Sequence, residues 1–400
     1  MEIWRYLRTS FSGLSTEVWW LAVITFVNRA GTMVIPFLSL YLTRSLDFSL
    51  SDVGWVMSSF GLGSVVGTWL GGNLSDRFGN YPVMKYSLIG TGILFILLQF
   101  IQTFWMWCLS IFMIMIIADA LRPAIFVALN AYCRPENRTR SVTLIRLAIN
   151  LGFVAGPAVG GWIIMVVGYS GLFWVDGITC LLAVVVLVKV LNPKRARQSE
   201  VEVPENPVSA YRDGLYWLFF IGLFLFTLAF LQYFSTLPLY YKEVHTLNES
   251  QIGMLLGLSG LIIFLFEMPM MKWLEGQTRH MLHYVIIGAV FLSMSFFVLN
   301  WFSWSGVLIL GIILMTVGEM LVFPFSHTFA MKRGERGLQG EYLAMYSLAF
   351  STANIFGHNL GMQSLDRYGY NATWYITAGI VLASGLLFYQ VLRILRKSRT

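Results

Sequence analysis

Long apolar runs alternate with short polar stretches along almost the whole chain. A helix that crosses a membrane needs about 20 mostly apolar residues. Twelve runs meet this requirement, near residues 18–42, 50–72, 82–103, 105–131, 141–167, 170–191, 215–240, 250–273, 281–302, 305–331, 341–365 and 371–394. The first run is too long for a cleaved signal peptide and follows a polar start, so we expect it to be a span. The pattern predicts an all-α membrane protein with twelve transmembrane helices.

Composition supports a surface that faces the lipid bilayer. Of 400 residues, 57% are hydrophobic and 12% are Asp, Glu, Lys or Arg, about half the charged share of a soluble domain. The formal net charge of +7 does not indicate nucleic-acid binding, because no polar domain carries the clustered Lys and Arg that such binding needs. The three cysteines are spaced neither as a disulfide framework nor as a metal site. We expect no metal and no cofactor.

The distribution of Lys and Arg predicts the orientation. Twenty-one of them fall at the ends or in the loops on the side that holds both termini, and three, Arg44, Lys242 and Arg367, fall on the other side. Short positively charged loops stay cytoplasmic. The sequence therefore predicts a multi-pass protein of the cell (inner) membrane with both termini in the cytoplasm, and we expect a monomer.

A repeat divides the chain into two halves. Ser51-Asp52-Val53-Gly54 recurs as Ser250-Gln251-Ile252-Gly253 at an offset of 199, and Pro123, Gly156, Gly160 and Gly168-Tyr169 recur as Pro324, Gly357, Gly361 and Gly369-Tyr370 at an offset of 201. The longest polar stretch lies between the sixth and seventh runs. We predict a six-helix bundle at 1–192, a cytoplasmic linker at 193–213 and a second bundle at 214–400, which is a secondary-transporter plan.

The loop after the second run reads Gly-Asn-Leu-Ser-Asp-Arg-Phe-Gly, from Gly72 to Gly79, and we expect a tight turn there. This spacing of Gly72, Asp76, Arg77 and Gly79 resembles the signature of the major facilitator superfamily, although Asn80 and Tyr81 replace the basic pair that usually follows. The resemblance covers the whole chain. It implies the major facilitator fold and a contact of Asp76 with the N-terminus of the eleventh helix that latches the cytoplasmic side.

The fifth run contains a second motif, Leu-Gly-Phe-Val-Ala-Gly-Pro-Ala-Val-Gly-Gly. Its Gly152, Gly156, Pro157, Gly160 and Gly161 resemble the antiporter motif of drug-exporting members of that superfamily. Glycine at every fourth position allows a neighbouring helix to approach closely, and Pro157 permits a bend. Plain helix packing is the alternative explanation.

Charged residues within the spans are costly, about 2.5–3.5 kcal/mol each on insertion scales, and persist only where they are used or paired. Glu319, Asp119 and Glu267 are the candidates for proton coupling, since a carboxyl group in a low-dielectric cavity can take up a proton. Glu319 lies almost at the repeat equivalent of Asp119 and has no cation within helical reach. A structural ion pair of Asp119 with Arg122 remains the alternative for those two residues. For Asp176 we favour a structural role.

Other polar residues at helical spacing are candidates for lining a substrate cavity. Single histidines within helices are more often packing residues than proton relays, so His327 and His358 are the weakest members. The complete set of cavity candidates is Asn28, Arg29, Arg122, Arg146, Asn150, Gln232, Tyr233, His327, Asn354 and His358.

These features favour a proton-coupled antiporter that exports hydrophobic or amphipathic small molecules by alternating access. The alternative is a proton-coupled symporter of small zwitterionic solutes such as peptides, because arginines lie in the first half and glutamates in the second. An enzyme is not expected. The chain contains neither a Gly-x-x-x-x-Gly-Lys-Ser/Thr phosphate loop nor a His-Glu-x-x-His zinc motif.

Overall fold

The computed structural model describes residues 14–31, 33–133, 138–191, 209–275, 277, 280–301, 304, 306–334 and 339–397. Within these ranges the ordered elements are helices, and no strand occurs. Eleven of the helical stretches are long and apolar enough to cross a membrane. The last of them, Glu341–Lys397, is 57 residues long and holds two spans, divided at Gly369 with φ 72°. The twelve predicted spans are confirmed.

The first six spans, numbered in chain order, follow the predicted runs closely. Span 1 consists of Thr16–Ala30 and Val34–Arg44, and span 4 of Phe104–Asp119 and Leu121–Tyr132. The others are single helices: span 2 is Leu50–Phe78, span 3 Asn80–Leu98, span 5 Arg138–Val167 and span 6 Tyr169–Val190.

Spans 7 to 12 form the second half of the chain. Span 7 consists of Gly214–Phe230, the 3-10 helix Leu231–Phe234 and Thr236–Glu243. Span 8 is Glu249–Glu275, span 9 Met281–Trp301 and span 10 Val307–Gly334. Spans 11 and 12 are the two parts of Gln339–Lys397, before and after Gly369.

Spans 1 and 7 are both interrupted near their middle. In span 1 the break falls between Ala30 and Val34, where the backbone N–H groups of Met33 and Val34 donate to the two carboxylate oxygens of Asp176, each at 2.9 Å. A carboxylate at the start of a helix satisfies donors that have no partner within the helix. Asp176 is fully buried, and this contact agrees with the structural role predicted for it.

The backbone reproduces the sequence repeat at the turns that follow these two spans. Asp47 and Thr246, which are 199 positions apart, adopt φ values of 53° and 52°. After them Ser49 pairs with Asp52, and Asn248 pairs with Gln251, in reciprocal capping hydrogen bonds at the starts of spans 2 and 8. Left-handed backbone at a non-glycine residue is uncommon. Its recurrence at one offset supports two six-helix repeats.

Backbone contacts divide the chain into two compact units. The first comprises Met1–Leu38, Leu62–Ser199 and Asn248–Leu261, and the second comprises Ser39–Gly61, Glu200–Leu247 and Ile262–Thr400. Buried apolar side chains from spans 1, 3, 4, 5 and 6, among them Leu21, Leu88 and Ile145, form a core of the first unit. The predicted division at a linker of 193–213 stays a prediction, because residues 192–208 lie outside the described part of the chain.

Candidate transport site

Arg29 is the centre of the charged residues in the first unit. Its guanidinium carbon lies 5.9 Å from the centre of the Phe153 ring on span 5. Asp119 and Arg122 on span 4 are both within its electrostatic range. A cation over an aromatic ring gains about 0.5–2 kcal/mol. The structure therefore brings together three predicted site residues from spans 1 and 4.

Asp119 accepts a hydrogen bond from a residue that was not among the predicted site residues. The Ser64 hydroxyl of span 2 donates a hydrogen bond to its carboxylate. Asp119 ends the first helix of span 4, and Ala120 separates it from the helix that holds Arg122. Within the described residues the structure contains no ion pair between Asp119 and Arg122.

The remaining polar candidates of the first unit are Asn28, Arg146 and Asn150. The Asn28 amide donates to the Cys180 sulfur at 3.7 Å. Arg146 is exposed, and Asn150 is half-buried.

The glycines of span 5 contact two different helices. Gly156 lies against the Ala30 carbonyl, where an added Cβ would be 3.3 Å from the oxygen, and a Cβ on Gly152 would clash with Arg29. Gly160 faces Met33 of the same span 1. Gly161 instead lies against the backbone of Glu249, at the start of span 8, and the Pro157 carbonyl lies against Gly253. Two sides of span 5 thus pack closely, each against a neighbouring helix backbone.

The second unit contains an equivalent contact. Gly357 of span 11 lies against the Leu228 carbonyl of span 7, where an added Cβ would be 3.2 Å from the oxygen. A Cβ on Gly361 would clash with the Gln232 side chain. Because these glycines are the repeat equivalents of Gly156 and Gly160, close packing of the fifth helix of each repeat on the first is common to both.

The predicted turn from Gly72 to Gly79 is shorter in the structure than expected. The helix of span 2 continues to Phe78, so Gly72 and Arg77 are helical, and the turn is confined to Gly79 with φ 89°. The Gly79 N–H donates to the Ser75 carbonyl at 3.0 Å, which is a glycine helix end. The Arg77 guanidinium lies over the Phe78 ring at 5.3 Å. The Asp76 side chain lies outside the described part of the structure, and its role stays a prediction.

Glu267 and Glu319 are the acidic candidates of the second unit. Both are half-buried, on spans 8 and 10, and the negative charge of Glu267 acts on Glu319. Each helix carries a proline close by, Pro269 in span 8 and Pro324 in span 10. Proline removes one intrahelical donor and permits bending. The two carboxyl groups therefore lie near each other on helices that can bend beside them.

The neutral candidates of the second unit lie in its core or at its surface. Gln232 is buried and donates to the Gly357 carbonyl at 2.7 Å, and the buried Tyr233 donates to the Gly311 carbonyl at 3.1 Å. The Asn354 amide donates to the Phe350 carbonyl at 3.0 Å, within its own helix. His327 is exposed beside Tyr346.

His358 is 2% exposed and packs edge-on to Phe60, with ring centres 6.3 Å apart. Its Nδ1 atom has no hydrogen-bond partner among the described residues. The side chains of Gln232 and Tyr233 are therefore hydrogen-bonded to the backbone of neighbouring helices. The Nδ1 atom of His358 makes no such bond among the described residues.

Two charged pairs in the structure were not predicted from the sequence. Asp213 caps the helix that starts span 7, and Arg333 of span 10 donates to both of its oxygens at 2.7 and 3.1 Å. Arg44 and Glu243 form an ion pair at 3.0 Å. Each partner lies at a span end, where charge is common and gives no signal by itself. The offset of 199 between Arg44 and Glu243 would have indicated the second pair.

Twelve apolar spans in two repeats, with charged residues on several of them, are the plan of a membrane transporter. The chain belongs to the Major Facilitator Superfamily, whose family model matches residues 21–358. Its relatives include a Na(+), Li(+), K(+)/H(+) antiporter of Planococcus maritimus, with 21% identity over 91% of this chain and 92% of that protein. Multidrug resistance protein MdtH of Yersinia enterocolitica is 20% identical over 82% of this chain and 81% of that protein.

A solved structure shows the same fold. A POT family transporter in complex with a thioalcohol-conjugated peptide superposes with a TM-score of 0.80, covering 95% of this chain and 96% of that chain at 15% identity. At this identity the likeness concerns the fold alone.

Proposed function

We propose that the protein is a proton-coupled antiporter that exports hydrophobic or amphipathic small molecules by alternating access. The observation that carries the proposal is the pair of half-buried carboxyl groups, Glu267 and Glu319, on proline-containing spans. Like charges close together repel, and uptake of one proton relieves that repulsion. Proton binding and bending of spans 8 and 10 would then be linked.

We favour antiport over symport for two reasons. The close-packed face of span 5, with Gly156 and Pro157, supplies a surface along which helices can move. The names of two relatives, a cation/proton antiporter and a multidrug resistance protein, agree with this direction. We further propose that the protein lies in the cell membrane as a monomer with both termini in the cytoplasm.

Symport of small zwitterionic solutes is the competing proposal. In the first unit, Arg29, with Arg122 and Asp119 in its electrostatic range, is the candidate for binding a carboxylate. In the second unit, Glu267 and Glu319 are the candidates for binding an ammonium group. Gln232 and Tyr233 do not add to such a site in this conformation, because their polar atoms bond to the backbone of neighbouring helices.

Transport in inverted membrane vesicles with an imposed pH gradient distinguishes the two. An antiporter accumulates an amphipathic dye in vesicles whose interior is acidic, and addition of the dye makes the interior less acidic. A symporter moves a dipeptide and protons in the same direction. The control is the same vesicle prepared without the protein. If neither dye nor dipeptide alters the proton flux relative to this control, the proposal of proton coupling is wrong.

A further inference from the structure

The far ends of spans 1, 7 and 12 meet in one polar cluster within the second unit. These ends lie on the membrane face opposite the termini, which we call the distal face. Arg44, the last residue of span 1, donates to Glu243 at 3.0 Å, and Glu243 is the last residue of span 7. Tyr370, just after the break at Gly369, donates to the other oxygen of Glu243 at 2.7 Å. Both oxygens of Glu243 are therefore engaged.

The repeat explains why this contact holds opposite charges. Arg44 and Glu243 are 199 positions apart, the offset that relates Asp47 to Thr246 in the following turns. Two equivalent positions that touch each other lie on the axis that relates the repeats, as self-facing residues do at a two-fold interface. Equal charges there would repel each other. Divergence to Arg in one repeat and Glu in the other turns that repulsion into attraction.

We infer that Arg44, Glu243 and Tyr370 form a latch that favours the state in which the transporter is closed at its distal face. The role rests on the alternating access proposed above, because opening the distal face requires the ends of spans 1 and 7 to separate. The Arg44–Glu243 pair must break in every such opening. The latch thus identifies three residues that set the balance between the two states of the transport cycle.

The latch is weak enough to break and re-form in each transport cycle. The Arg44 and Glu243 side chains are 49% and 38% exposed, so water can replace each partner as the pair separates. An exposed ion pair changes an equilibrium by about two- to fivefold. The latch therefore shifts the balance towards closure without locking it.

The variant Ser58→Cys can report opening of the distal face in the absence of substrate. Ser58 of span 2 is buried in the second unit, and its hydroxyl donates to the Ile355 carbonyl of span 11 at 2.7 Å. Ser58→Cys is nearly isosteric, and the native Cys108, Cys133 and Cys180 would be replaced by serine. In lipid nanodiscs a polar maleimide reaches both faces, so the labelling rate does not depend on the orientation of the protein. Separation of spans 2 and 11 at this depth exposes the cysteine.

In this background, Arg44→Glu should raise the rate of maleimide labelling about two- to fivefold. The combined exchange Arg44→Glu with Glu243→Arg should return it to the starting rate, and Tyr370→Phe should raise it less than Arg44→Glu does. The control is Arg367→Glu. It makes the same change of charge on the distal face, but among the described residues Arg367 donates no hydrogen bond to Glu243.

The outcomes separate this inference from the proposed function. If Arg44→Glu labels no faster than Arg367→Glu, or if the charge exchange does not restore the rate, the latch assignment is wrong. If the labelling rates of the variants follow the expected order but no proton-coupled dye transport is found, the latch assignment is supported and the proposal of antiport is wrong.

Discussion

At the scale of single residues, the carboxyl groups differ in what surrounds them. Asp176 accepts two backbone N–H groups and Asp213 accepts from Arg333, so both stabilise a fixed arrangement. Glu319 is instead half-buried within the electrostatic range of another carboxyl group. This contrast supports Glu319 over Asp119 as the proton-coupling residue, since Asp119 is near Arg29 and accepts a hydrogen bond from Ser64.

Glu319→Gln should separate uphill transport from downhill exchange. Glutamine mimics the protonated carboxyl group, so the variant should still exchange dye across the membrane but should fail to move it against a gradient. Both activities can be measured in proteoliposomes, with Asp366→Asn, a change at an exposed carboxyl group, as the control. Uphill transport by Glu319→Gln with the pH dependence of the wild type would transfer the role to Glu267 or Asp119.

Asp213 should set part of the acid stability of the second unit. Burial alone would raise its pKa, but the hydrogen bonds and charge of Arg333, with bonds from Tyr216 and Tyr342, outweigh burial and hold that pKa below its usual value. The stabilisation is therefore fully present above the unfolded-state pKa of about 3.9 and is lost as the pH falls through the lower folded-state value.

Asp213→Asn should lower the stability by about 3 kcal/mol at neutral pH, because it leaves Arg333 without its charged partner. Thermal unfolding in detergent from pH 7 down to pH 3 measures this, and the difference from wild type should shrink towards the acid end. Asp366→Asn serves as the control. An unchanged Tm of Asp213→Asn at pH 7 would show that the pair contributes nothing to folding.

At the scale of elements, hydropathy predicted the spans but not their interruptions. A window of about 20 residues averages over a short break, so the interruptions between Ala30 and Val34, at Ala120 and at Leu231–Phe234 leave no trace in it. The break in span 1 depends on Asp176, which is 143 positions from Met33 in the chain.

The glycine motif illustrates the same limit. Its spacing correctly indicated close helix approach, while the two helices it meets were not predictable. Gly156 faces span 1 and Gly161 faces the start of span 8, and only the folded chain shows that these are different contacts. The matching contact of Gly357 with span 7 indicates that part of the motif serves packing within each repeat.

Gly156→Leu should abolish transport. The Ala30 carbonyl lies 3.3 Å from where a Cβ would be, so a leucine must push span 1 away from span 5. Gly156→Ala should retain partial activity, and Val159→Leu, at an exposed position of the same helix, should behave as wild type. Dye efflux from cells that express equal amounts of each variant measures the effect. Normal efflux by Gly156→Leu would mean that span 1 can move without loss of transport.

At the scale of the whole molecule, the sequence predicted the class of protein more completely than its switching contacts. Twelve apolar runs and the repeat at offsets of 199 and 201 were sufficient for the fold, since both are properties of the chain itself. The ion pair of Arg44 with Glu243 was missed, because pairing across 199 residues depends on how spans 1 and 7 end in space. Because Arg44 and Glu243 are related by the repeat offset, a comparison of equivalent positions at the span ends would have indicated the pair.

The distal latch has a predicted counterpart on the side of the termini, and a carrier that alternates needs opposing contacts on its two faces. The family resemblance implies that Asp76 supplies this counterpart at the N-terminus of span 11. A carboxylate at a helix N-terminus contributes about 0.3–1 kcal/mol, and up to about 2 where it is partly buried. Asp76→Asn should therefore insert and fold normally, while its turnover falls about three- to tenfold.

Substrate affinity should change little, because Asp76 is assigned to a conformational contact rather than to the binding site. Dye binding to purified protein and dye transport in proteoliposomes measure the two quantities separately, with Asp366→Asn as a control at the end of span 11. Combining Asp76→Asn with Arg44→Glu gives a sharper test. The two substitutions weaken contacts on opposite faces, so their effects on the equilibrium between the two states should partly cancel. Turnover of the double variant should therefore exceed that of Asp76→Asn alone. Weaker binding at a normal transport rate would instead place Asp76 in the substrate site.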